Sequence, residues 1–361
     1  MTFGSCKKAA LAADPFEWQL PFKLDSLRKS GLPRRVSLRP GSRNSEFGLE
    51  LKAAANMNKT YNQALHRYAV FTASCTFVLL IAGALVTSND AGLSIPDWPL
   101  AYGSLTPPMV GGIRYEFTHR VIATCVGLLT IGLAAWLWKT EKRSWMRWLG
   151  LAALGGVIAQ GILGGMTVRM FQPPPVSAAH ATLAQLFFST VVAIAVFTTS
   201  WWNGAVAEID DPGSPRARTL VVWTLAAVFL QLILGAAFRH KGFGIIPHLI
   251  GAVVVTILIF MTAGALKRRF ADVPALRSCA RYLHILIGVQ LLLGAGAYWS
   301  RLYGARFPQP IAAMVTLTVV HTVTGALVLT AALVTALISY RMLRTDHAVA
   351  DSAPASQQVA H

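Results

Sequence analysis

The sequence predicts an all-α polytopic membrane protein, with eight transmembrane helices arranged as two pseudo-symmetric four-helix bundles. Of the 361 residues, 54% are hydrophobic and only 13% are charged, which is typical of membrane proteins that cross the bilayer many times. Eight apolar segments each approach the length of about 20 residues that spans a bilayer. The first four and the last four segments share sequence motifs, which indicates a duplication.

The loops between these segments differ in charge. Lys and Arg are more frequent in the loops after the even-numbered segments, and such loops favour the cytoplasmic side. We therefore expect a multi-pass protein of the cell (cytoplasmic) membrane with both termini in the cytoplasm. The same distribution accounts for the net charge of +17 without a basic globular domain, which excludes nucleic acid as a partner. The predicted segments are 68–88, 117–138, 148–169, 178–200, 219–238, 244–266, 282–300 and 315–340.

The ends of the chain differ in composition from the apolar segments. Residues 1–60 are basic and irregular, which predicts a disordered tail. The alternative is that translation starts at Met57, which opens a short polar stretch before the first span. The predicted domains are an N-terminal bundle at 61–202, a cytoplasmic linker at 203–218, a C-terminal bundle at 219–345 and a disordered tail at 346–361.

The duplication is visible in the odd-numbered segments, which share a glycine-containing motif. LIAGALV (80–86) matches LILGAAF (232–238), and QGILGGMTV (160–168) matches QLLLGAGAY (290–298). Small residues allow helices to approach closely. They also leave room for a flat macrocycle, so the motif fits both ordinary packing and a cofactor site.

Each even-numbered segment carries a histidine near its outer end, namely His119, His180, His248 or His321. A neutral imidazole inside a membrane is costly unless it is ligated or hydrogen-bonded. Two facing imidazoles at one depth can hold a haem iron from both sides within a helix bundle. We therefore predict that His119 pairs with His180 and His248 with His321 as haem-iron ligands, toward the outer face. The alternative is four hydrogen-bonded packing residues.

The two halves differ beside these histidines. Glu116 lies three residues before His119, so both side chains project from one helix face. Ile245 stands at the matching place in the second half. A carboxyl group beside a metal-bound cofactor in a membrane is a candidate for function, and Glu116 is the predicted catalytic residue. The alternative is an interfacial residue paired with Arg114 or Arg120.

The first outer loop, about 89–115, is long and contains the sequence PDWP around Asp97 and Trp98. Proline fixes the backbone, and loops held on a rigid scaffold often carry function. We predict that Asp97 and Trp98 belong to a lid over a substrate pocket. A purely structural connector is the alternative.

These motifs together resemble the haem A synthase family (CtaA/Cox15). GLSIPDWPLAYG, EFTHR, AAHATLAQ and the later two histidines carry the resemblance over roughly 60–345. It implies an oxidoreductase that converts the C8 methyl group of haem O into a formyl group, giving haem A for terminal oxidases. It further implies that His248 and His321 hold a haem b cofactor, that His119 and His180 face the iron of the haem O substrate, and that Glu116 is the family's essential glutamate.

The resemblance has one departure and implies several partners. Many bacterial members carry a cysteine pair in the first outer loop, where this chain has residues such as Ile95 and Ala101. The expected partners are haem O, haem O synthase, an electron carrier and membrane lipid, with a homo-oligomer as a further option. Two other functions compete: a di-haem b-type cytochrome that only transfers electrons, and a transporter built from a duplicated repeat.

Overall fold

The computed structural model describes residues 62–344. Within them, eight helices are long and apolar enough to cross a membrane, which confirms the predicted fold class. Helices suit this environment because each satisfies its own backbone hydrogen bonds, for which lipid offers no partner. The two predicted tails, 1–60 and 346–361, lie outside the described residues. The helices are α1 (Gln63–Ser88), α2 (Ile113–Thr140), α3 (Ser144–Arg169), α4 (Pro174–Phe197), α5 (Ala217–Arg239), α6 (Ile246–Arg269), α7 (Pro274–Gly304) and α8 (Ala312–Met342).

Most helices extend beyond the apolar segment that predicted them, because their polar end turns are helical too. The largest difference is in α7, which begins eight residues before the predicted start, 282, at Pro274. Proline is favoured in the first turn of a helix, where its missing N–H has no partner to lose. At the start of α1, the Asn62 side chain caps the helix by accepting a hydrogen bond from the Leu65 N–H at 3.0 Å.

The helices pack as two rings of four. In the first ring α1 contacts α2 and α4, and α3 contacts the same two helices; α5 to α8 repeat this arrangement. Between the rings, α1 packs against α8, α4 packs against α5, and α4 also meets α8. Suppose that α1 corresponds to α5 and α4 to α8. The α1–α8 contact then becomes the α5–α4 contact, and the α4–α8 contact becomes itself. This is the pattern of a twofold axis, as the duplication predicts.

The two ends of the molecule are built differently. We call the end with the four histidines the histidine end and the opposite one the linker end. At the linker end, a two-residue strand β1 (Ile209–Asp210) pairs in parallel with β2 (Leu343–Arg344). The Arg344 side chain donates to Asp210 Oδ1 at 2.7 Å. These contacts fasten the segment between the bundles to the residues that follow α8.

The apolar core of the first bundle also lies toward the linker end. Its members come from the beginning of α1 and α3 and from the later parts of α2 and α4, and they are nearly inaccessible to solvent. They include Leu65, Ala69, Val126, Leu133, Leu137, Met146, Ala153, Val191 and Ile194. At the other end, the histidines and many neighbouring side chains are only half-buried or exposed. The apolar core of the first bundle and the histidines therefore lie toward opposite ends of the molecule.

Candidate functional site

Each of the four histidines lies against a glycine of the preceding helix. A Cβ atom added to Gly83 would come within 3.2 Å of His119 Cε1, and one added to Gly164 within 3.3 Å of His180 Cε1. In the second bundle the same contacts occur with closer spacing. They measure 3.0 Å from Gly235 to His248 and 2.9 Å from Gly294 to His321. The glycines of the repeated motif thus make room for the imidazole rings. The same residues serve helix packing and the placement of the histidines.

The same ring atom is turned toward the helix backbone in these sites. Nδ1 of His119, His180 and His321 is buried and lacks a partner with hydrogen-bond geometry. Backbone carbonyl groups one turn before each glycine lie near these rings but outside hydrogen-bond geometry. They belong to Leu79, Gln160 and Gln290. A histidine that ligates metal usually turns its other nitrogen to a carbonyl or carboxylate, which fixes the tautomer. Nε2 is therefore the atom available to a ligand between the helices.

His248 is held more firmly than the other three. The Gln231 side-chain amide donates to the His248 carbonyl oxygen at 2.8 Å and lies 3.1 Å from Nδ1. Gln231 is on α5, one turn before Gly235, so a single stretch of helix positions both the ring and the backbone of His248. This arrangement fixes the orientation of the imidazole before any ligand binds.

The C-terminal pair has the spacing expected for two ligands of one metal ion. The ring centroids of His248 and His321 are 6.3 Å apart, and their planes are nearly perpendicular, at 86°. Metal–imidazole nitrogen bonds of about 2.0–2.1 Å, made by two rings on opposite sides of a metal, place the centroids roughly 6 Å apart. The residues of this half therefore fit a bis-imidazole haem site.

The N-terminal pair lies at the same end but is less closely set. Among the described residues, the ring contact seen for the C-terminal pair has no counterpart in the N-terminal pair. The two halves thus share the same glycine cradle and differ in the spacing of their imidazoles.

Glu116 is buried, with 4% of its surface exposed, and it binds the first loop. Its Oε2 accepts a hydrogen bond from the Ile95 N–H at 2.9 Å, and its Oε1 pairs with Arg120 at 2.6 Å. Arg120 also donates to the carbonyl oxygens of Asp97 at 2.8 Å and Leu100 at 3.0 Å. Of the two basic neighbours considered from the sequence, Arg120 is the partner. The catalytic role of Glu116 stays a prediction, and the structure adds that the carboxylate anchors the loop.

The loop around Asp97 is an ordered turn. Asp97 accepts hydrogen bonds from the Gly103 N–H at 2.8 Å and the Tyr102 N–H at 2.7 Å. These two donors lower the pKa of the exposed Asp97 carboxyl group below its ordinary value. The Tyr102 hydroxyl donates to the Ser94 carbonyl at 2.6 Å. Ile95 is fully buried beneath this turn, so the position near which family members carry cysteine serves apolar packing here.

Trp98 brings the loop to the N-terminal histidines. Its indole ring lies on Gly165, where an added Cβ would come within 2.9 Å of Trp98 Cδ2. Gly165 adjoins Gly164, the residue that contacts His180. The loop therefore reaches over the first bundle next to one of its histidines. Its role as a substrate lid stays a prediction.

Sequence reasoning missed the contribution of Phe238, whose ring stacks on His248 with 6.4 Å between centroids and 12° between planes. A signal was present, because Phe238 ends the repeated motif LILGAAF and its counterpart in the first half is Val86. Of the basic residues near this end, Arg239 donates to the Ser88 hydroxyl at 2.8 Å. Arg301 lies 6.0 Å from the Phe238 centroid.

The fold and the site define a class of protein: a multi-pass helical membrane protein in which two related bundles each bring two histidines to one end, each against a glycine. The chain belongs to the COX15-CtaA family, described as cytochrome oxidase assembly proteins. The family model matches residues 66–111 and 113–247. This match includes Glu116, His119 and His180, and it ends one residue before His248.

Three similar bacterial proteins are each named Heme A synthase. The protein of Symbiobacterium thermophilum is 29% identical over 255 residues, which is 61% of this chain and 82% of the relative. The protein of Alkalihalophilus pseudofirmus is 32% identical over 184 residues, 50% of this chain and 61% of the relative. That of Shouchella clausii is 35% identical over 136 residues, 36% of this chain and 44% of the relative. The second and third matches thus cover less than two thirds of those relatives.

Proposed function

We propose that the protein is a haem A synthase, an oxidoreductase that converts the C8 methyl group of haem O into a formyl group and so supplies haem A to terminal oxidases. The observation that carries this proposal is the inequality of two otherwise similar sites. Both bundles present paired histidines against glycines, but among the described residues a buried carboxylate bound to an outer loop lies beside the first pair and not beside the second. Family membership and the names of the similar proteins support the same reaction.

In this proposal His248 and His321 would hold a resident haem b in the C-terminal site. The spacing of the two rings and the double hold of Gln231 on His248 support a fixed, preorganised pair. When bound, a bis-histidine haem supplies one-electron exchange. The task of the protein here is to fix both imidazoles and to keep the site within the apolar bundle.

The N-terminal site receives haem O, with His119 and His180 facing the iron of this substrate. The looser pairing of these rings suits a molecule that arrives, reacts and leaves. Trp98, seated on Gly165 beside the His180 contact, covers the entrance or one face of the pocket. Asp97 acts indirectly, since its two backbone hydrogen bonds hold the turn that presents Trp98.

Glu116 acts at the methyl group of the substrate. Withdrawal of electrons from that carbon builds positive charge, which a buried carboxylate stabilises or relieves by accepting a proton. In each of two rounds of oxidation, two electrons leave for the electron carrier, the oxygen of one water molecule is added and two protons are released. The product is a hydrated aldehyde, and loss of water leaves the formyl group. Arg120 and the Ile95 N–H fix the two oxygens of Glu116, so the position of the carboxylate depends on the closed state of the loop.

The orientation in the membrane follows from charge. The linker end carries most of the basic loops, so we assign it and both termini to the cytoplasm and the histidine end to the outer side. The four-helix halves are then an N-terminal substrate domain and a C-terminal haem b domain. Haem O synthase as the supplier of substrate and a separate electron carrier complete the expected partners.

Expression with and without haem O synthase distinguishes the enzyme from the competing di-haem cytochrome. We expect haem extracted from cells that contain both proteins to include haem A, identified by mass, and haem extracted without haem O synthase to contain haem b alone. Haem b alone in both extracts would favour the cytochrome. The control is the variant His119→Ala, which should give no haem A when the amount of protein in the membrane equals that of the unmodified chain.

A further inference from the structure

The end of α5 at the histidine end touches elements of both histidine sites. Phe238 and Arg239 follow one another there, and each has a different neighbour. These residues are outside the ligand pairs and outside the first loop, so the proposed reaction leaves their arrangement unexplained.

On the C-terminal side, Phe238 sets the plane of one ligand. Its ring is nearly parallel to the imidazole of His248, with 12° between planes and 6.4 Å between centroids. The guanidinium group of Arg301 lies 6.0 Å from the Phe238 centroid. His248 therefore has Gly235 against one ring carbon and an aromatic ring alongside, which limits rotation about the bond to its ring.

On the N-terminal side, the next residue reaches the other bundle. Arg239 donates to Ser88 Oγ at 2.8 Å, and Ser88 is the last residue of α1 and only 3% exposed. A hydrogen bond to a buried hydroxyl group costs more to break than one at the surface. Ser88 lies five residues after Gly83, the glycine that contacts His119. The end of α5 is thus joined to the helix that carries part of the N-terminal site.

The duplication shows that these contacts are not a general need of the fold. Alignment of Gly83 with Gly235 places Val86 opposite Phe238 and Thr87 opposite Arg239. The first half therefore has an aliphatic residue and a hydroxyl group where the second has an aromatic ring and a guanidinium group. Because these residues occur in only one of the two bundles, we expect them to serve a role in which the bundles differ.

We propose that the end of α5 couples the two histidine sites, with Phe238 fixing the ring plane of His248 and with Arg239 joining this fixed end to α1, the helix whose Gly83 contacts His119. These are positioning residues, and the inference rests on the proposed function in that both pairs bind haem. A structural change at either site then alters the other, because the end of α5 connects them.

The first test concerns Phe238 and reads the ferric low-spin signal by electron paramagnetic resonance. The protein is purified from cells that lack haem O synthase, so the readout does not depend on turnover. The anisotropy of this signal follows the angle between the two imidazole planes. We expect Phe238→Leu to change the signal of the C-terminal haem and Phe238→Tyr to preserve it. A matched control is Phe243→Leu, which alters a 63% exposed ring at the same end.

The second test concerns the connection between bundles. Arg239→Gln and Ser88→Ala remove opposite partners of one hydrogen bond, so the double variant should behave like either single variant. At a fixed applied potential, we expect each of these three variants to change the ratio of reduced to oxidised haem at least threefold at both sites.

These measurements separate the coupling from the proposed reaction. A Phe238→Leu signal that superimposes on that of the unmodified chain would overturn the role of Phe238. Additive effects of Arg239→Gln and Ser88→Ala, or effects confined to one site, would overturn the coupling. Failure of the unmodified chain to make haem A would instead contradict the proposed function.

Discussion

Replacement of Gly294 by alanine tests the glycine cradle at its tightest point. The added Cβ would lie 2.9 Å from His321 Cε1, whereas carbon atoms in contact prefer about 3.5–4.0 Å. His321 must then move by about 0.6 Å or more to reach the lower limit. Since ligand distances in metal sites hold to within about 0.2 Å, a shift of this size removes the imidazole from its bonding position.

The same geometry gives a graded series. Gly164→Ala meets His180 Cε1 at 3.3 Å, which is short of contact by only about 0.2 Å, and small rearrangements absorb that. Gly288→Ala, on the same helix as Gly294, has no neighbour within 4 Å of the added Cβ and serves as the control. Disturbing the groups that orient a ligand commonly weakens metal binding about 10- to 100-fold. We expect a loss in that range for Gly294→Ala, little change for Gly164→Ala and none for Gly288→Ala.

The assay is titration of purified apoprotein with haem b for Gly294→Ala and Gly288→Ala and with haem O for Gly164→Ala, followed by the low-spin absorbance per polypeptide. Haem affinity of Gly294→Ala equal to that of Gly288→Ala would refute the reasoning, since it would show that His321 either moves freely or does not ligate haem. Comparison of helix content between the variants checks that the bundle is intact.

Further predictions concern the loop and its anchor. Glu116→Gln should keep bound haem while haem A production falls at least tenfold, as expected for a positioned carboxylate in acid–base or charge-stabilising chemistry; full production measured by haem extraction would contradict the role. Arg120→Lys retains the charge but loses the guanidinium fork, so we expect faster proteolysis of the first loop, with unchanged cleavage arguing against the anchor. The pKa of Asp97 is lowered by its hydrogen bonds from the backbone of Gly103 and Tyr102, so the ionised form stabilises the turn above the ordinary carboxyl pKa and this stabilisation is lost as the pH falls through the lowered pKa. Fluorescence of Trp98 should therefore change on acidification in the unmodified chain, whereas Asp97→Asn should already show the changed signal near neutral pH; identical pH profiles would refute the assignment.

The fold was accessible from the sequence because a bilayer permits so few structures. An apolar stretch of about 20 residues must form a helix in lipid, so eight segments and a visible repeat led to eight helices in two rings. The ends of the helices were less predictable. The turn that begins at Pro274 is polar and lies outside the apolar window, and the pairing of Ile209 with Leu343 joins residues far apart in the chain.

The candidate site was partly predictable for a similar reason. The four histidines repeat with the helices, so their common end follows from connectivity. Their contacts with glycines depend on which faces of two helices meet, and the motif alone left packing and cofactor space as equal options. The partner of Glu116 was one of two neighbouring arginines, and only the path of the loop selects Arg120. The contact of Phe238 with His248 could not be predicted, because an aromatic residue in an apolar segment is usually a packing residue.

The central claim is that the two histidine pairs hold different haems, and the pigments of two paired variants test it most directly. With haem O synthase present, the account predicts that the double variant His119→Ala/His180→Ala retains haem b and contains no haem A. The corresponding variant His248→Ala/His321→Ala should lose the low-spin haem b signal. Loss of haem b from the first variant with its retention in the second, or haem A in the first, would contradict the account.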